Sequence, residues 1–461
     1  MTLIKSISGI RGTIGGKPGE NLTPIDVVRF CAAFCAVHQE KNQRKEINIV
    51  IGRDARISGE MIAQLASNTL IGMGANVIDL GLSTTPTVEM AVVHYQAQAG
   101  IILTASHNPA QWNALKLLNE KGEFISAEIG QQVLALAEKG VDFAPVYELG
   151  KLQKQKEFDF HLEPILAMPL VKKEQIAAKR LKIVVDGINS SGAVFVPLLL
   201  NALGVAEVIV VNADPTGHFA HNPEPLAEHL QETCSIVKKE NAHLGIVVDP
   251  DVDRLAFIDE NGVLFGEEYS LVAIADYVLK YNKGNTVSNL SSTRALKDIT
   301  EKHGGEYFAA AVGEVNVVEK MKAVEAVIGG EGNGGIIVPE LHYGRDAIVG
   351  IALFLSHYCE MSLTMSALKN TYPLYYMGKK KVDLDPSKPS EKILASIAHA
   401  HSTDNINLTD GVKIDYPEYW VHLRRSNTEP IIRIYTEAKS QSLADEMAEA
   451  WIKKINDITF E

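Results

Sequence analysis

The sequence predicts an α/β fold: three similar mixed α/β domains followed by a smaller C-terminal α+β domain. Three observations carry this. Short apolar runs such as Ile47–Ile51, Ile101–Leu103 and Ile246–Val248 end in small or polar residues and alternate with helical patterns; such alternation builds a parallel or mixed sheet covered by helices. The chain has 461 residues, too many for one core and enough for about three or four domains. Beyond about residue 370 the pattern changes to strand-like runs at Val412–Ile414, Trp420–Leu423 and Ile431–Tyr435, then an amphipathic helix over Ser442–Ile455.

Taken in order, Ser8-Gly9-Ile10-Arg11-Gly12 reads as a glycine-flanked loop carrying one arginine. A helix follows, with Thr23 as N-cap, Pro24 at its first position and Asp26 in its first turn. Strand Ile47–Ile51 leads into the loop Gly52-Arg53-Asp54-Ala55-Arg56. Ser58 caps the next helix, Asn76–Leu80 is a strand, and Thr85-Pro86 opens another helix before the strand ending at Leu103. Between about Lys139 and Lys179 the pattern is irregular and rich in Lys, Glu and Pro, which marks a boundary. Alternation restarts with strands Leu181–Asp186, Glu207–Val211 and Leu244–Val248 and a helix over Leu226–Glu240. Leu255–Asp259 and Val263–Phe265 flank an Asn-Gly turn and read as a hairpin. A third α/β unit carries strands Thr286–Leu290, Tyr307–Val312 and Ala326–Ile328. Its helices are near Tyr269–Lys280, Arg294–His303 and Arg345–Tyr358. The domains are therefore expected at residues 1–155, 156–258, 259–370 and 371–461.

Hydrophobic residues are 46% and charged residues 22% of the chain, ordinary for a globular protein. The net charge of −13 argues against nucleic acid or a membrane surface as partner. Cys31 and Cys35 lie one helical turn apart in an apolar segment and read as core thiols. No zinc-type spacing accompanies them. The first residues, Met1-Thr2-Leu3-Ile4-Lys5-Ser6, show no signal-peptide core, and no long apolar span follows. A cytoplasmic location with reduced thiols is expected.

Four stretches carry chemistry. In Thr104-Ala105-Ser106-His107-Asn108-Pro109 a serine stands at the carboxyl end of a buried strand, where α/β folds collect ligands. It is not a Gly-x-Ser-x-Gly elbow, so a hydrolase triad is disfavoured. Lys116, ten residues on, returns to the site as an acid/base or is an ordinary surface lysine. Asp249-Pro250-Asp251-Val252-Asp253-Arg254 follows an apolar strand directly. Its three carboxylates repel one another unless a cation neutralises them, and hard oxygen ligands in that number suit Mg²⁺. The same run also resembles the aspartate-nucleophile loop of haloacid-dehalogenase-type phosphatases, but a downstream acidic partner motif is missing. Gly329-Gly330-Glu331-Gly332-Asn333-Gly334-Gly335 presents a carboxylate and an amide on glycines, suited to two sugar hydroxyls or simply a turn. Arg424-Arg425-Ser426-Asn427-Thr428-Glu429-Pro430, with Arg433, offers the donors of a phosphate cradle or of a polar hairpin.

Thr-Ala-Ser-His-Asn-Pro, Asp-Pro-Asp-Val-Asp-Arg, Gly-Glu-Gly-Asn-Gly-Gly and Arg-Arg-Ser-Asn-Thr-Glu-Pro resemble, in order and spacing, the motifs of the α-D-phosphohexomutase family. The resemblance covers nearly the whole chain. It implies that the three α/β domains surround a central cleft, and that the enzyme reversibly moves phosphate between the 1- and 6-positions of a hexose. By the resemblance, Ser106 carries a phosphoryl group and passes it to substrate, giving a bisphosphate that turns over and returns the other phosphate. A hexose 1,6-bisphosphate is then the activator. Mg²⁺ would be held by Asp249, Asp251, Asp253 and an oxygen on Ser106. Arg11, Lys116, His107 and Arg254 would surround the transferring group, Glu331 and Asn333 would hold sugar hydroxyls, and Arg424, Ser426, Asn427, Thr428 and Arg433 would hold the other phosphate. The chain departs from the family in Asn113-Ala114, where Asn-Gly is usual, and in Asn333, where serine is more common. The Glu-x-Asn-Gly form and Val312-Gly313-Glu314-Val315-Asn316-Val317 are similar to amino-sugar members. The resemblance therefore implies conversion of glucosamine 6-phosphate to glucosamine 1-phosphate, with glucose or mannose phosphate as the alternative and a metal-dependent sugar phosphatase further off.

Overall fold

The computed structural model describes residues 2–6, 9–156, 158–384, 389–425 and 431–458. The architecture is three similar α/β domains and a C-terminal α+β domain. The chain forms two compact units, Met1–Ser270 with Asn333–Lys369, and Leu271–Gly332 with Asn370–Glu461. Among the described residues no helix is long and apolar enough to cross a membrane.

The first unit holds a seven-stranded sheet. Its order is Ile4–Ser6, Gly9–Thr13, Trp112–Leu118, Ala99–Leu103, Asn48–Arg53, Asn76–Leu82 and Leu152–Lys154. Strand Asn48–Arg53 is parallel to both neighbours, while Trp112–Leu118 is antiparallel to both of its own. The central strands are apolar without interruption because both faces are covered. Ile49, Ile51, Ile101 and Leu103 join the cluster under helices Pro24–Lys41 and Gly59–Gly72, whereas Val50 and Ile102 join the cluster with Val88 and Val92 of helix Thr85–His94. Cys31 and Cys35 are fully buried in the first cluster.

Thr23 caps its helix with Asp26 in a reciprocal capping box, as expected. Three local expectations need correction. Residues Gly9–Thr13 are a strand, not a loop, because Arg11 lies in register opposite Ala114. Ser58 occupies a cap position without making a cap bond; its hydroxyl accepts from Asn113 Nδ2 at 3.0 Å. The helix expected over Leu226–Glu240 is broken at Leu230 into a short 3-10 turn, Ala227–His229, and helix Gln231–Lys239.

The second sheet of this unit has the order Leu255–Ile258, Leu244–Val248, Lys182–Asp186 and Glu207–Val211. The Asn-Gly turn forms with Gly262 at φ +76, closing a single antiparallel bridge from Ile258 to Leu264. Strand Gly335–Ile337 and helix Ala347–Met361 complete the unit; Asp346 caps that helix by accepting from Ile348 N at 2.7 Å.

In the second unit, strand Asn285–Asn289 lies between Tyr307–Ala310 and Ala326–Glu331, all parallel. The C-terminal sheet is antiparallel, in the order Tyr376–Asp383, Ile431–Ala438, Tyr419–Arg425, Val412–Asp415 and Asn405–Asn407, with helices Ser390–Ala400 and Gln441–Asp457. Strand Tyr376–Asp383 carries exposed Lys379-Lys380-Lys381 at the sheet edge. Charged edges discourage further pairing and also hide the strand from an apolar pattern.

The C-terminal domain meets the third α/β domain through buried polar groups. Ser291 Oγ lies 2.9 Å from His422 Nδ1, Lys413 Nζ donates to Leu290 O at 2.9 Å, and Arg294 N donates to Glu437 Oε1 at 3.0 Å. His422 and Glu437 are almost wholly buried.

Candidate active site

Ser106 follows strand Ala99–Leu103 and takes a left-handed backbone, φ +49. A non-glycine residue there is strained and persists only when its surroundings fix it. Its N–H donates to Thr104 Oγ1 at 2.9 Å, and Thr104 Oγ1 donates to Asp54 Oδ2 at 2.6 Å. Its hydroxyl donates to Asp249 Oδ2 at 2.6 Å and lies 3.3 Å from His107 Nδ1.

The three aspartates leave strand Leu244–Val248 together and are buried. The backbone wraps Asp249, whose Oδ1 accepts from Asp253 N and Arg254 N, both at 3.1 Å. Val252 has φ +62, which turns the loop back on itself. Asp251 Oδ2 accepts from Thr85 Oγ1 at 2.6 Å and from Lys116 Nζ at 2.7 Å. Asp253 Oδ2 accepts from Arg345 Nη2 at 2.7 Å and from Lys116 Nζ at 3.3 Å. One oxygen of each aspartate falls within 4.8 Å of the others.

Burial, and then Asp251 and Asp253, push the Asp249 carboxyl well above the usual range. Burial also works against Asp253, but Arg345, Lys116 and Arg254 outweigh it and hold that carboxylate below its ordinary value. The Oδ1 atoms of Asp251 and Asp253 are buried and accept no hydrogen bond. Unsatisfied buried carboxylate oxygens are costly. Three buried carboxylates, each with an oxygen within 4.8 Å of the others and two with an oxygen left unsatisfied, fit a hard divalent cation such as Mg²⁺.

The cations around this triad come from separate elements. Lys116 lies on strand Trp112–Leu118 opposite Ile102, with its side chain 12% exposed, so it belongs to the site and is not a surface lysine. Burial disfavours its charge, but Asp251 and Asp253 raise its pKa and keep it an ammonium. Arg254 Nη1 pairs with Glu224 at 3.3 Å and Nη2 lies 3.4 Å from His107 Nε2, while its buried Nε makes no hydrogen bond. Burial and then Arg254 push His107 well below its ordinary pKa, with Arg345 and Arg11 adding to the effect. The ring is therefore a neutral hydrogen-bonding group at neutral pH. Arg345 and Arg56 were not singled out from sequence. Arg345 stands one residue before the cap Asp346, and its neighbours in sequence offer no motif to mark it.

In the second unit, Glu331 ends strand Ala326–Glu331 and is buried. Its Oε1 accepts from Asn289 Nδ2 at 2.9 Å and from Gly313 N at 3.1 Å. The preceding amide, Val312 N, donates to Asp410 Oδ2 at 3.1 Å, and that oxygen lies 3.3 Å from Arg424 Nε. Arg424 is the cross-strand partner of Arg433, which is exposed. Asn333 lies in the first unit, where its Oδ1 accepts from Gly335 N at 3.3 Å. Ser426, Asn427 and Thr428 lie outside the described residues.

Profiles of phosphoglucomutase/phosphomannomutase match the chain in order: α/β/α domain I over residues 3–142, domain II over 159–262, domain III over 266–375 and the C-terminal domain over 381–454. The chain is 35% identical to a phosphoglucomutase/phosphomannomutase of Thermococcus kodakarensis, over 97% of this chain and 98% of that one. It is 31% identical to a phosphoglucosamine/phosphogalactosamine mutase of Sulfurisphaera tokodaii, over 97% of each. A crystal structure of a phosphoglucomutase/phosphomannomutase family protein from Burkholderia thailandensis shares the fold, with a TM-score of 0.84 at 24% identity, covering 100% of this chain and 99% of that one.

Proposed function

The chain belongs to the phosphoglucomutase/phosphomannomutase family, and within that family of phosphohexomutases we propose that it interconverts glucosamine 6-phosphate and glucosamine 1-phosphate through a phosphoserine at Ser106. The observation that carries the reading is Ser106 Oγ at 2.6 Å from Asp249, in a ring of three buried aspartates whose charge is met by Lys116, Arg254 and Arg345. Phosphoryl transfer depends mainly on positioning and on neutralising charge over the phosphoryl oxygens.

In the proposed cycle, phosphorylated Ser106 gives its phosphoryl group to a sugar hydroxyl. The bond from phosphorus to Ser106 Oγ breaks as the bond to the sugar oxygen forms, and the proton lost by the sugar hydroxyl is balanced by one gained at Ser106 Oγ, producing a hexose 1,6-bisphosphate. The bisphosphate reorients and returns its other phosphate to Ser106. Mg²⁺, held by Asp249, Asp251 and Asp253, supplies charge neutralisation at the phosphoryl oxygens when bound. Lys116, kept as an ammonium, supplies positive charge and a proton donor beside Asp251. Arg254 offers an unused N–H, and His107 orients the serine hydroxyl as a neutral ring. Glu331 and Asn333 hold sugar hydroxyls. Arg424 and Arg433, with Ser426, Asn427 and Thr428, hold the phosphate that is not being transferred.

The choice of an amino sugar rests on Glu331-Gly332-Asn333-Gly334 and agrees with the substrate named for the Sulfurisphaera relative. The Thermococcus relative bears the name of a glucose and mannose enzyme, which makes those phosphates the second reading. The test is kcat/KM for glucosamine, N-acetylglucosamine, glucose and mannose 1-phosphates, with Mg²⁺, a trace of hexose bisphosphate and direct detection of the 6-phosphate. Preference for glucosamine supports the assignment. Equal or better rates on glucose or mannose transfer it to the second reading, and phosphate release without a 6-phosphate product overturns the mutase cycle.

A further inference from the structure

Arg56 is a fully buried arginine on the loop that follows strand Asn48–Arg53. All five N–H donors of its guanidinium are engaged. Nε donates to Asp54 Oδ2 at 3.0 Å, Nη1 donates to Pro109 O at 2.7 Å and Trp112 O at 3.0 Å, and Nη2 donates to Asn108 O at 2.6 Å and to Ser106 O. Phe219 covers one face, its ring centre 5.0 Å from the guanidinium carbon. Four of the five bonds therefore go to backbone carbonyls of the segment that carries the nucleophile.

The paired carboxylate is committed to the same segment. Asp54 Oδ2 also accepts from Thr104 Oγ1, which in turn accepts from Ser106 N. The serine peptide is thus held from its carbonyl by Arg56 and from its amide through Asp54 and Thr104. The middle of the 54–56 loop is tied to the aspartate loop as well: Ser190 Oγ accepts from Ala55 N at 3.3 Å and donates to Pro250 O at 2.7 Å.

We propose that Arg56 is a positioning residue for phosphoryl transfer, locking Ser106 in its left-handed conformation so that the serine oxygen stays in register with the aspartate triad. It acts through the backbone of the Ser106 segment and through Asp54. The assignment rests on the phosphoserine reading above. Lysine cannot replace it, because an ammonium has three donors and no planar fork to span several carbonyls and a carboxylate.

The test compares wild type, Arg56→Lys and Thr104→Val. Arg56→Lys keeps the charge beside Asp54, and Thr104→Val cuts the second tether with little change of shape. Each is assayed for steady-state kcat and KM, for the fraction of Ser106 phosphorylated after loading with hexose bisphosphate, and for single-turnover transfer from the loaded enzyme to sugar phosphate. Misplacement of reacting groups by about an ångström can cost about 100-fold in rate. The expected result for Arg56→Lys is a fall of about that size in kcat and in single-turnover transfer, with KM within about twofold. That pattern marks loss of transition-state alignment rather than of substrate binding. Thr104→Val is expected to fall in the same direction by about tenfold, and it decides the matter if Arg56→Lys does not fold. Normal single-turnover transfer in folded Arg56→Lys overturns the proposal, as does normal transfer in Thr104→Val when only that variant folds. If wild type forms no phosphoserine, the underlying reading fails instead, and the two failures are told apart on wild type alone.

Discussion

The Ser106 hydroxyl donates to Asp249 Oδ2 across 2.6 Å, joining two loops 143 residues apart in the chain. On the proposed reading, a divalent cation that Asp249 would hold with Asp251 and Asp253 would supply charge neutralisation beside Ser106. Ser106→Ala is expected to lower kcat by about 1,000-fold or more while the protein still binds Mg²⁺. Asp249→Asn is expected to keep the fold but weaken Mg²⁺ binding by at least about tenfold. Isothermal titration with Mg²⁺ beside turnover assays separates the two. Full activity in Ser106→Ala with bisphosphate present would remove the serine from the mechanism.

Lys116 bridges Asp251 and Asp253 at 2.7 and 3.3 Å. Replacing it by methionine keeps the length of the stem and removes the charge. The expected outcome is a kcat lower by about 100- to 1,000-fold with KM changed much less. Stopped-flow transfer from phosphoenzyme, run over a series of pH values, checks it.

Asp346 accepts from His161 Nε2 at 2.9 Å and caps a helix at the same time. Burial would raise its pKa, but the rings of His161 and His342 outweigh that and hold it below the ordinary carboxylate range. A lowered carboxylate pKa stabilises the fold above its unfolded value and stops doing so as pH falls through the folded one. Asp346→Asn is therefore expected to cost about 3 kcal/mol at pH 7, with the difference from wild type shrinking in acid. Urea unfolding at several pH values measures it.

His422 also makes the fold acid-sensitive, through a base rather than an acid. Burial, with Lys413 adding to it, pushes the ring down to about 4 from an ordinary 6.5. Between those two values the unfolded chain takes up a proton that the folded chain refuses, so stability falls as pH drops through this window. The loss between pH 7 and pH 5 is expected to be about 2 kcal/mol. His422→Gln should flatten that part of the curve, and urea unfolding of the pair of proteins at pH 7 and pH 5 reads it directly.

What was legible in the sequence follows from where the signal is local. The serine loop and the aspartate loop each end a buried apolar strand, so a few adjacent residues reveal both their place and their chemistry. Thr23 was legible as a cap because the capping box spans four residues. Strand Gly9–Thr13 was not, because its glycines read as a turn and the partner that makes it an inner strand is a hundred residues away. Arg345 and Arg56 were missed for the same reason. Each is an arginine in a loop, and only the fold reveals that one meets Asp253 and the other meets the carbonyls around Ser106. The edge strand Tyr376–Asp383 was missed because its exposed lysines leave no apolar rhythm to read.

The turn at Val312 and Gly313 acts as a caliper. Its two successive amides serve different masters: one binds Asp410 beside Arg424, the other binds Glu331. Each peptide unit is planar and stiff, and these two adjacent planes meet at Val312, so the acceptor proposed for sugar hydroxyls and the guanidinium proposed for phosphate are tied to backbone groups one residue apart. What such a gauge measures is reach, the span from a phosphate to a ring hydroxyl. On the proposed reading, sugars that differ in length would be sorted by backbone geometry, while sugars of one length that differ in a substituent would be left to side chains such as Asn333.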